Sequence, residues 1–159
     1  MSDAALSTDR IAAMLESWLR EDAADADADV TSASIVDPDA TLRCTIRARQ
    51  AGVLSGLEPL ARAVAALGTC ELVPATKEGA AFEAAADLGT LNGPARAVLA
   101  LERTLLNALG MACGIATRTA AFVTAVDGQS CAICDTRKTP PGLRDLAKYA
   151  VACGGGTPG

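Results

Sequence analysis

Ser130-Cys131-Ala132-Ile133-Cys134-Asp135, followed at once by Thr136-Arg137-Lys138-Thr139-Pro140-Pro141-Gly142, is the stretch on which the fold turns. The first six residues are nearly all apolar and show no polar alternation. A strand covered on both faces has that composition, so the run reads as a fully buried strand of the parallel type. The next seven residues cannot continue it. They hold two cations, two hydroxyls and a rigid Pro-Pro-Gly, and they predict a loop. A helix is expected over 115–126 before the strand and another over 143–152 after it. The unit is therefore helix–strand–helix. In α/β sheets the loop at the end of such a strand is where ligands bind.

Upstream the pattern is different. Residues 95–112 form the strongest helical segment, with Val98, Leu101, Leu105 and Leu109 as its core stripe, widened by Leu106, and Arg96, Arg103, Asn107 and Gly110 on another face. Gly114 is expected to break this helix. Residues 41–50 alternate, Leu42, Cys44, Ile46 and Ala48 facing one way and Arg43, Thr45, Arg47 and Arg49 the other. That is a half-exposed antiparallel strand. A helix is expected over 57–67, strands over Glu71–Pro74 and Phe82–Leu91, and an opening amphipathic helix over 8–20 capped by Ser7 or Thr8. The chain thus opens as helix plus antiparallel sheet (1–112) and changes to helix–strand–helix (113–159).

The 159 residues hold 14 basic and 19 acidic side chains, for a net charge of −5. Residues 1–40 carry ten of the acids and two of the bases, so the remainder is mildly cationic. That distribution suits a small anionic ligand better than a nucleic-acid duplex. With four aromatic residues, Trp18, Phe82, Phe122 and Tyr149, base stacking is also disfavoured. The absence of His excludes a Ser-His-Asp triad, a Cys-His dyad and a His-ligated zinc within this chain. No run of about 18 apolar residues and no signal-peptide pattern is visible, so a cytoplasmic protein with reduced cysteines and no membrane span is expected.

Four further patterns bear on chemistry. Cys131-x-x-Cys134 has metal-ligand spacing, but i and i+3 on a strand point to opposite faces and no second pair exists, so both read as buried core cysteines. Asp25, Asp27 and Asp29 imitate the start of a calcium loop, yet Val30 and Val36 stand where Gly and Glu are needed, leaving a solvated acidic loop. Gly154-Gly155-Gly156 lacks a phosphate-loop pattern and reads as a flexible helix stop. For Asp135–Gly142 two readings stand level: an anion-binding loop, since Arg offers a planar fork and Lys a point charge, or a solvated turn with Arg137 paired to Asp135. Arg103, taken alone, reads as a surface arginine.

In order along the chain, these pieces resemble the quinolinate phosphoribosyltransferase family. The segments that carry the likeness are Ala48-Arg49-Gln50-Ala51-Gly52-Val53-Leu54-Ser55-Gly56, Asn92-Gly93-Pro94-Ala95-Arg96, Glu102-Arg103 with Asn107, and Gly114-Ile115-Ala116-Thr117. After them come Asp135-Thr136-Arg137-Lys138-Thr139 with Pro141-Gly142-Leu143-Arg144, Lys148-Tyr149-Ala150-Val151 and Gly154-Gly155-Gly156. The family's pattern continues past Gly156 with Asn-His-Arg, where this chain has Pro158 and Gly159 after Thr157. Ala147 stands in place of a usual Glu, and Cys113 in place of a usual Ser.

The resemblance implies an α+β N-terminal sandwich domain (1–112) followed by the first helix–strand–helix units of an incomplete α/β, TIM-like barrel (113–159). It implies transfer of phosphoribose from phosphoribosyl pyrophosphate to quinolinate with decarboxylation, giving nicotinate mononucleotide, pyrophosphate and CO2 in NAD synthesis. It also implies a homodimer whose sites are shared. Arg103, Thr136, Arg137 and Lys138 would then bind substrate, Arg103 reaching across the dimer, and Lys138 would act catalytically. Mg²⁺ is implied with the donor, its protein ligands lying beyond this chain. A paralogue of the molybdenum-transport-associated type, or a non-catalytic dimerising fragment, are the alternatives, and the 159-residue chain alone is expected to have little activity.

Overall fold

The computed structural model describes residues 6–23, 29–157 and 159. The acidic positions Asp25 and Asp27 lie outside them. Helix α1 spans Thr8–Ala23 and α2 Val30–Ile35. Strand β1 spans Thr41–Arg47, β2 Gly52–Val53, and helix α3 Leu57–Leu67. Strands β3 (Glu71–Pro74), β4 (Ala81–Phe82) and β5 (Asp87–Pro94) follow. Helices α4 (Ala95–Ala125) and α5 (Arg144–Cys153) complete a mixed α/β fold.

The capping chemistry sets the helix starts. The Arg10 amide donates to Ser7 Oγ at 3.3 Å and so marks the entry to α1. The Ser32 amide donates to Asp29 Oδ1 at 3.0 Å and starts α2, an element the sequence reading did not anticipate. At α3 the cap is remote: Glu78 accepts from the amides of Gly56 (2.7 Å) and Glu58 (2.8 Å). Gly56 itself sits at φ +96°, a left-handed conformation that favours glycine.

Strand β5 is the centre of a three-stranded sheet in the order β1-β5-β3, antiparallel throughout. The alternation read in residues 41–47 is observed: Leu42, Cys44 and Ile46 are half-buried, and Thr41, Arg43, Thr45 and Arg47 are exposed. The single strand expected over Phe82–Leu91 is instead two. Its first residue, Phe82, pairs together with Ala81 against β2 in a separate ribbon. Between the halves Ala85 adopts φ +66°, and the Ala84-Ala85-Ala86 linker has no β-branched side chain to hold an extended course. Strand β5 also runs through Asn92-Gly93 to Pro94, so the helix begins directly where the sheet ends.

The break expected at Gly114 does not occur; α4 is continuous for 31 residues. Its buried stripe continues past the glycines through Leu109, Ala112, Ala116 and Thr119. Burial along that stripe outweighs the roughly 1 kcal/mol that a mid-helix glycine costs. By length and composition alone α4 is apolar enough to cross a membrane. Its buried stripe packs against β1, β2, β5, α1 and α5, while Leu99, Leu106 and Phe122 remain exposed, so Leu106 does not widen the core stripe as its spacing suggested. The core joins Ile11 and Leu15 of α1, Leu57, Leu60 and Val64 of α3, Leu91 of β5, Val98, Leu101 and Leu105 of α4 and Leu146 of α5.

Two expectations for the second half fail for one reason. Residues 130–135 form no strand. Their only pairing is an isolated parallel bridge between Cys134 and Thr157, and Ser130, Cys131, Ala132 and Cys134 are exposed. Cys131 and Cys134 are accordingly surface thiols, not core residues. A buried parallel strand needs a neighbour on each edge and cover on each face, and among the described residues the 157 segment alone comes alongside.

Candidate functional site

Arg103 and Thr136-Arg137-Lys138 are presented by different elements. Arg103 sits on the exposed face of α4, with its side chain 72% exposed, and its Nη1 contacts both carboxylate oxygens of Asp22 at 3.1 and 3.3 Å. Asp22 belongs to the last turn of α1. Arg96, two turns earlier, is used structurally. Its guanidinium donates to the carbonyls of Ala33 and Val36 and closes the end of α2.

Thr136, Arg137 and Lys138 lie side by side in the loop before α5, all three exposed. Thr136 Oγ1 accepts from the Lys138 amide at 3.2 Å, a hydroxyl turn that sets the local bend. Arg144, the first residue of α5, donates to the Arg137 carbonyl (3.5 Å) and to Thr139 Oγ1 (3.4 Å). Neither the Arg137 guanidinium nor the Lys138 ammonium makes an ion pair among the described residues. The Arg137–Asp135 pairing that would have made this a self-neutralised turn is therefore not formed. Asp135 is instead held by Lys148 of α5, with Nζ at 2.8 and 2.9 Å from its two oxygens. Burial pushes the Asp135 carboxyl up, but the hydrogen bonds from Lys148 and the Gly159 amide outweigh that and hold it below the usual range. Sequence reasoning missed this pair because its partners are 13 residues apart and on different elements.

No hydrogen bond or ion pair joins Arg103 to the Thr136–Lys138 loop. A cavity of about 330 Å³ lies between their supports, lined by Trp18, Glu21 and Asp22 of α1, Thr104, Asn107 and Met111 of α4, and Leu143 and Leu146. Its two carboxylates suit it poorly to a dianion. A larger open groove of about 790 Å³ runs along the other side of Asn107, where Arg49 and Arg118 join Phe82, Leu106, Gly110 and Gly114. The Arg118 guanidinium stacks 4.7 Å above the Phe122 ring there.

The thiols near the fold's centre are inert. Burial pushes Cys113 and Cys153 up, and the Glu78 carboxylate adds to this, with Cys153 Sγ donating to Glu78 Oε2 at 3.6 Å. Tyr149 is likewise raised far above its ordinary value, first by burial and then by Glu78. These groups stay protonated near neutrality; Cys153 and Tyr149 tie α5 to the turn before β4, whereas Cys113 holds α4 to Ser55. Gly154-Gly155-Gly156 is not a flexible stop. A Cβ on Gly154 would meet the Ala116 carbonyl at 2.4 Å, and one on Gly156 would meet Val151 at 2.5 Å and Thr119 at 2.9 Å. The glycines let the end of α5 lie directly against α4.

A sequence model of the quinolinate phosphoribosyl transferase N-terminal domain matches residues 29–113, and one of the C-terminal domain matches residues 115–158. The chain belongs to the quinolinate phosphoribosyltransferase family. The nicotinate-nucleotide pyrophosphorylase (carboxylating) of Mycobacterium leprae is 37% identical over 131 residues, which are 80% of this chain and 46% of that protein. The human protein of the same description is 33% identical over 147 residues, 91% of this chain and 48% of that one. Among solved structures, NadC from Streptococcus pyogenes superposes with a TM-score of 0.90 at 32% identity, covering all of this chain and 55% of its own. The nicotinate-nucleotide pyrophosphorylase from Francisella tularensis gives 0.87 at 28% identity, with 100% and 57% covered. The chain thus spans about half the length of the curated relatives that it matches.

Proposed function

We propose that this chain supplies part of the quinolinate-recognition site of an enzyme that transfers phosphoribose from phosphoribosyl pyrophosphate to quinolinate. The ring nitrogen forms the new glycosidic bond while the bond to pyrophosphate breaks. One carboxylate is then lost as CO2, and the ring carbon that carried it keeps the bonding electron pair and takes up a proton from solvent, leaving nicotinate mononucleotide for NAD synthesis. The observation that carries the reading is the pair of unneutralised cations, Arg137 and Lys138, on a loop tied down at both ends. Quinolinate is a dianion and the donor carries further charge, so their close approach needs fixed cations. In this reading Arg137 and Thr136 hold a carboxylate, the guanidinium by a bidentate fork. Lys138 is the catalytic residue. Its ammonium stabilises the charge that develops as pyrophosphate leaves or the ring loses CO2. Binding and orientation then carry much of the rate, and no nucleophile is required.

The remaining parts belong to the same proposal. Residues 1–112 form the α/β sandwich domain and 113–159 the start of an α/β barrel. Two copies pair so that Arg103 of one enters the site of the other, exchanging Asp22 for a substrate carboxylate. Mg²⁺ arrives with the donor's phosphates. Among the described residues no three Cys, Asp or Glu side chains cluster as a metal cage, so these residues do not fit the ion by themselves. The enzyme works in the cytoplasm.

Calorimetric titration tests the reading. Quinolinate is expected to bind the chain at least about tenfold more tightly than nicotinate, which lacks the second carboxylate, and Arg137→Met is expected to remove that preference. Equal affinity for the two acids, or an unaltered preference in Arg137→Met, rejects it.

A further inference from the structure

Asp135 immediately precedes the Thr136–Lys138 loop, and its side chain is only 4% exposed. It accepts from Lys148 Nζ at both oxygens and from the Gly159 amide at 2.9 Å. The Lys148 ammonium also donates to the Gly159 carbonyl at 2.8 Å, so it is directed by three oxygen contacts. A buried ion pair of this kind is a weak source of net stability, because desolvation of both charges offsets their attraction. What it does supply is geometry. Removing either partner leaves a charge in a site built for a pair.

The second pin comes from the same helix. Arg144 holds the Arg137 carbonyl and Thr139 Oγ1. Residues 144 and 148 are one turn apart and share a face of α5. The loop is therefore strapped along that face, its entrance by Lys148 and its middle by Arg144. Helix α5 is in turn fixed to the rest of the fold. Leu146 and Ala150 are fully buried, Asp145 pairs with Arg10, and Cys153 meets Glu78. A rigid path runs from the core to the two free cations.

We infer that Lys148, acting through Asp135, is the positioning residue of the Arg137–Lys138 anion site. It has a second, electrostatic effect. With Lys148 in place, the Asp135 carboxylate is neutralised and turned away from the loop. Without it, a bare carboxylate stands two residues from Arg137 and competes with any anion for that guanidinium. The lowered pKa of Asp135 agrees with a carboxylate kept ionised in its pair. The anion in question is quinolinate, so the ligand part of this inference rests on the function proposed above.

The test uses the 159-residue chain with Lys148→Met, Lys148→Arg and Asp135→Asn. Two readouts are taken: tryptic cleavage after Arg137 and Lys138, followed by mass spectrometry, and calorimetric titration with quinolinate. Lys148→Met is expected to speed cleavage at those two bonds about tenfold relative to other sites and to weaken quinolinate binding by a similar factor, with Lys148→Arg restoring both. Asp135→Asn, which keeps the side chain's size, is expected to speed cleavage but to lose less affinity, since it leaves no competing carboxylate. Unchanged loop cleavage and undiminished affinity in Lys148→Met overturn the positioning role. Accelerated cleavage in Lys148→Met, in a chain that binds no quinolinate in any form, upholds the strap and overturns the choice of ligand instead. Should Lys148→Met not fold, Asp135→Asn carries the same decision through its cleavage pattern alone.

Discussion

At Gly154 a single missing carbon decides how two helices meet. Its φ is −78°, which any residue adopts, so the constraint there is purely steric. A Cβ would lie 2.4 Å from the Ala116 carbonyl and 2.7 Å from Thr119 Cβ, both on the rigid helix α4. Gly114 is the converse case. Nothing lies within 4 Å of a Cβ built there, and its position inside a helix gives it a conformational cost that alanine lacks. The same substitution should therefore act in opposite directions. Gly154→Ala is expected to destabilise by about 1–3 kcal/mol through overpacking. Gly114→Ala is expected to stabilise by about 0.5–1 kcal/mol. Urea denaturation of both variants checks this, and a Gly154→Ala chain as stable as the parent would mean that α4 and α5 separate easily. Composition pointed to Gly154-Gly155-Gly156 as a flexible stop. Close helix contact leaves no trace in local sequence, since it depends on what another element places opposite.

Elements whose order comes from their own side chains were the legible ones. The alternation in β1, the apolar stripe of α3 and the N-cap of α1 act over a few residues, and each lies where those residues indicate, although α1 runs on to Ala23 past its expected end at residue 20. Segments that depend on a partner were misread. The run 130–135 has a strand's composition but finds one bridge, at Cys134. Helix α4 has two glycines in mid-course but finds a continuous packing surface. The Thr136–Lys138 loop was legible as a pair of cations, whereas its Asp135–Lys148 anchor, spanning two elements, was not. The exposed state of residues 130–135 has a direct chemical readout. Cys131 and Cys134 are exposed, while Cys44, Cys70, Cys113 and Cys153 are partly buried, the last two also hydrogen-bonded. Brief iodoacetamide treatment of the native chain, followed by peptide mapping, is expected to label Cys131 and Cys134 about tenfold faster or more than Cys113 and Cys153. Slow labelling at Cys131 and Cys134 would show that the segment is covered in solution, as a buried strand would be.

For the whole molecule, the decisive geometry is that Arg103 and the Arg137–Lys138 loop face solvent from different elements with no contact between them. One chain does not close a site around a small dianion with both sets of cations. Arg103 is paired with one exposed carboxylate, Asp22, and attracted at longer range by Asp29; an exposed pair of this kind contributes about 0–1 kcal/mol and is easily exchanged. Among the described residues the Arg137 and Lys138 side chains have no ion-pair partner to exchange. The divided site proposed above uses both sets of cations at once, and it makes a complementation experiment possible. A full-length relative in which the arginine matching Arg103 is replaced by alanine should release little CO2 from quinolinate, and this chain alone should also release little. Mixed under conditions that allow subunit exchange, the two are expected to form heterodimers in which, on the proposed arrangement, this chain donates Arg103 to the relative's otherwise complete site. Activity is expected to return on mixing, and a chain carrying Arg103→Ala is expected to restore none. Loss of a bidentate arginine–carboxylate contact costs roughly 1.5–3 kcal/mol, so the restored rate should exceed the background by about tenfold or more. Equal restoration by the Arg103→Ala chain would assign the recovery to dimer contact alone and remove Arg103 from the site. Restoration by the parent chain only would place this exposed arginine, which by burial and pairing is an ordinary surface residue, in contact with substrate across the interface.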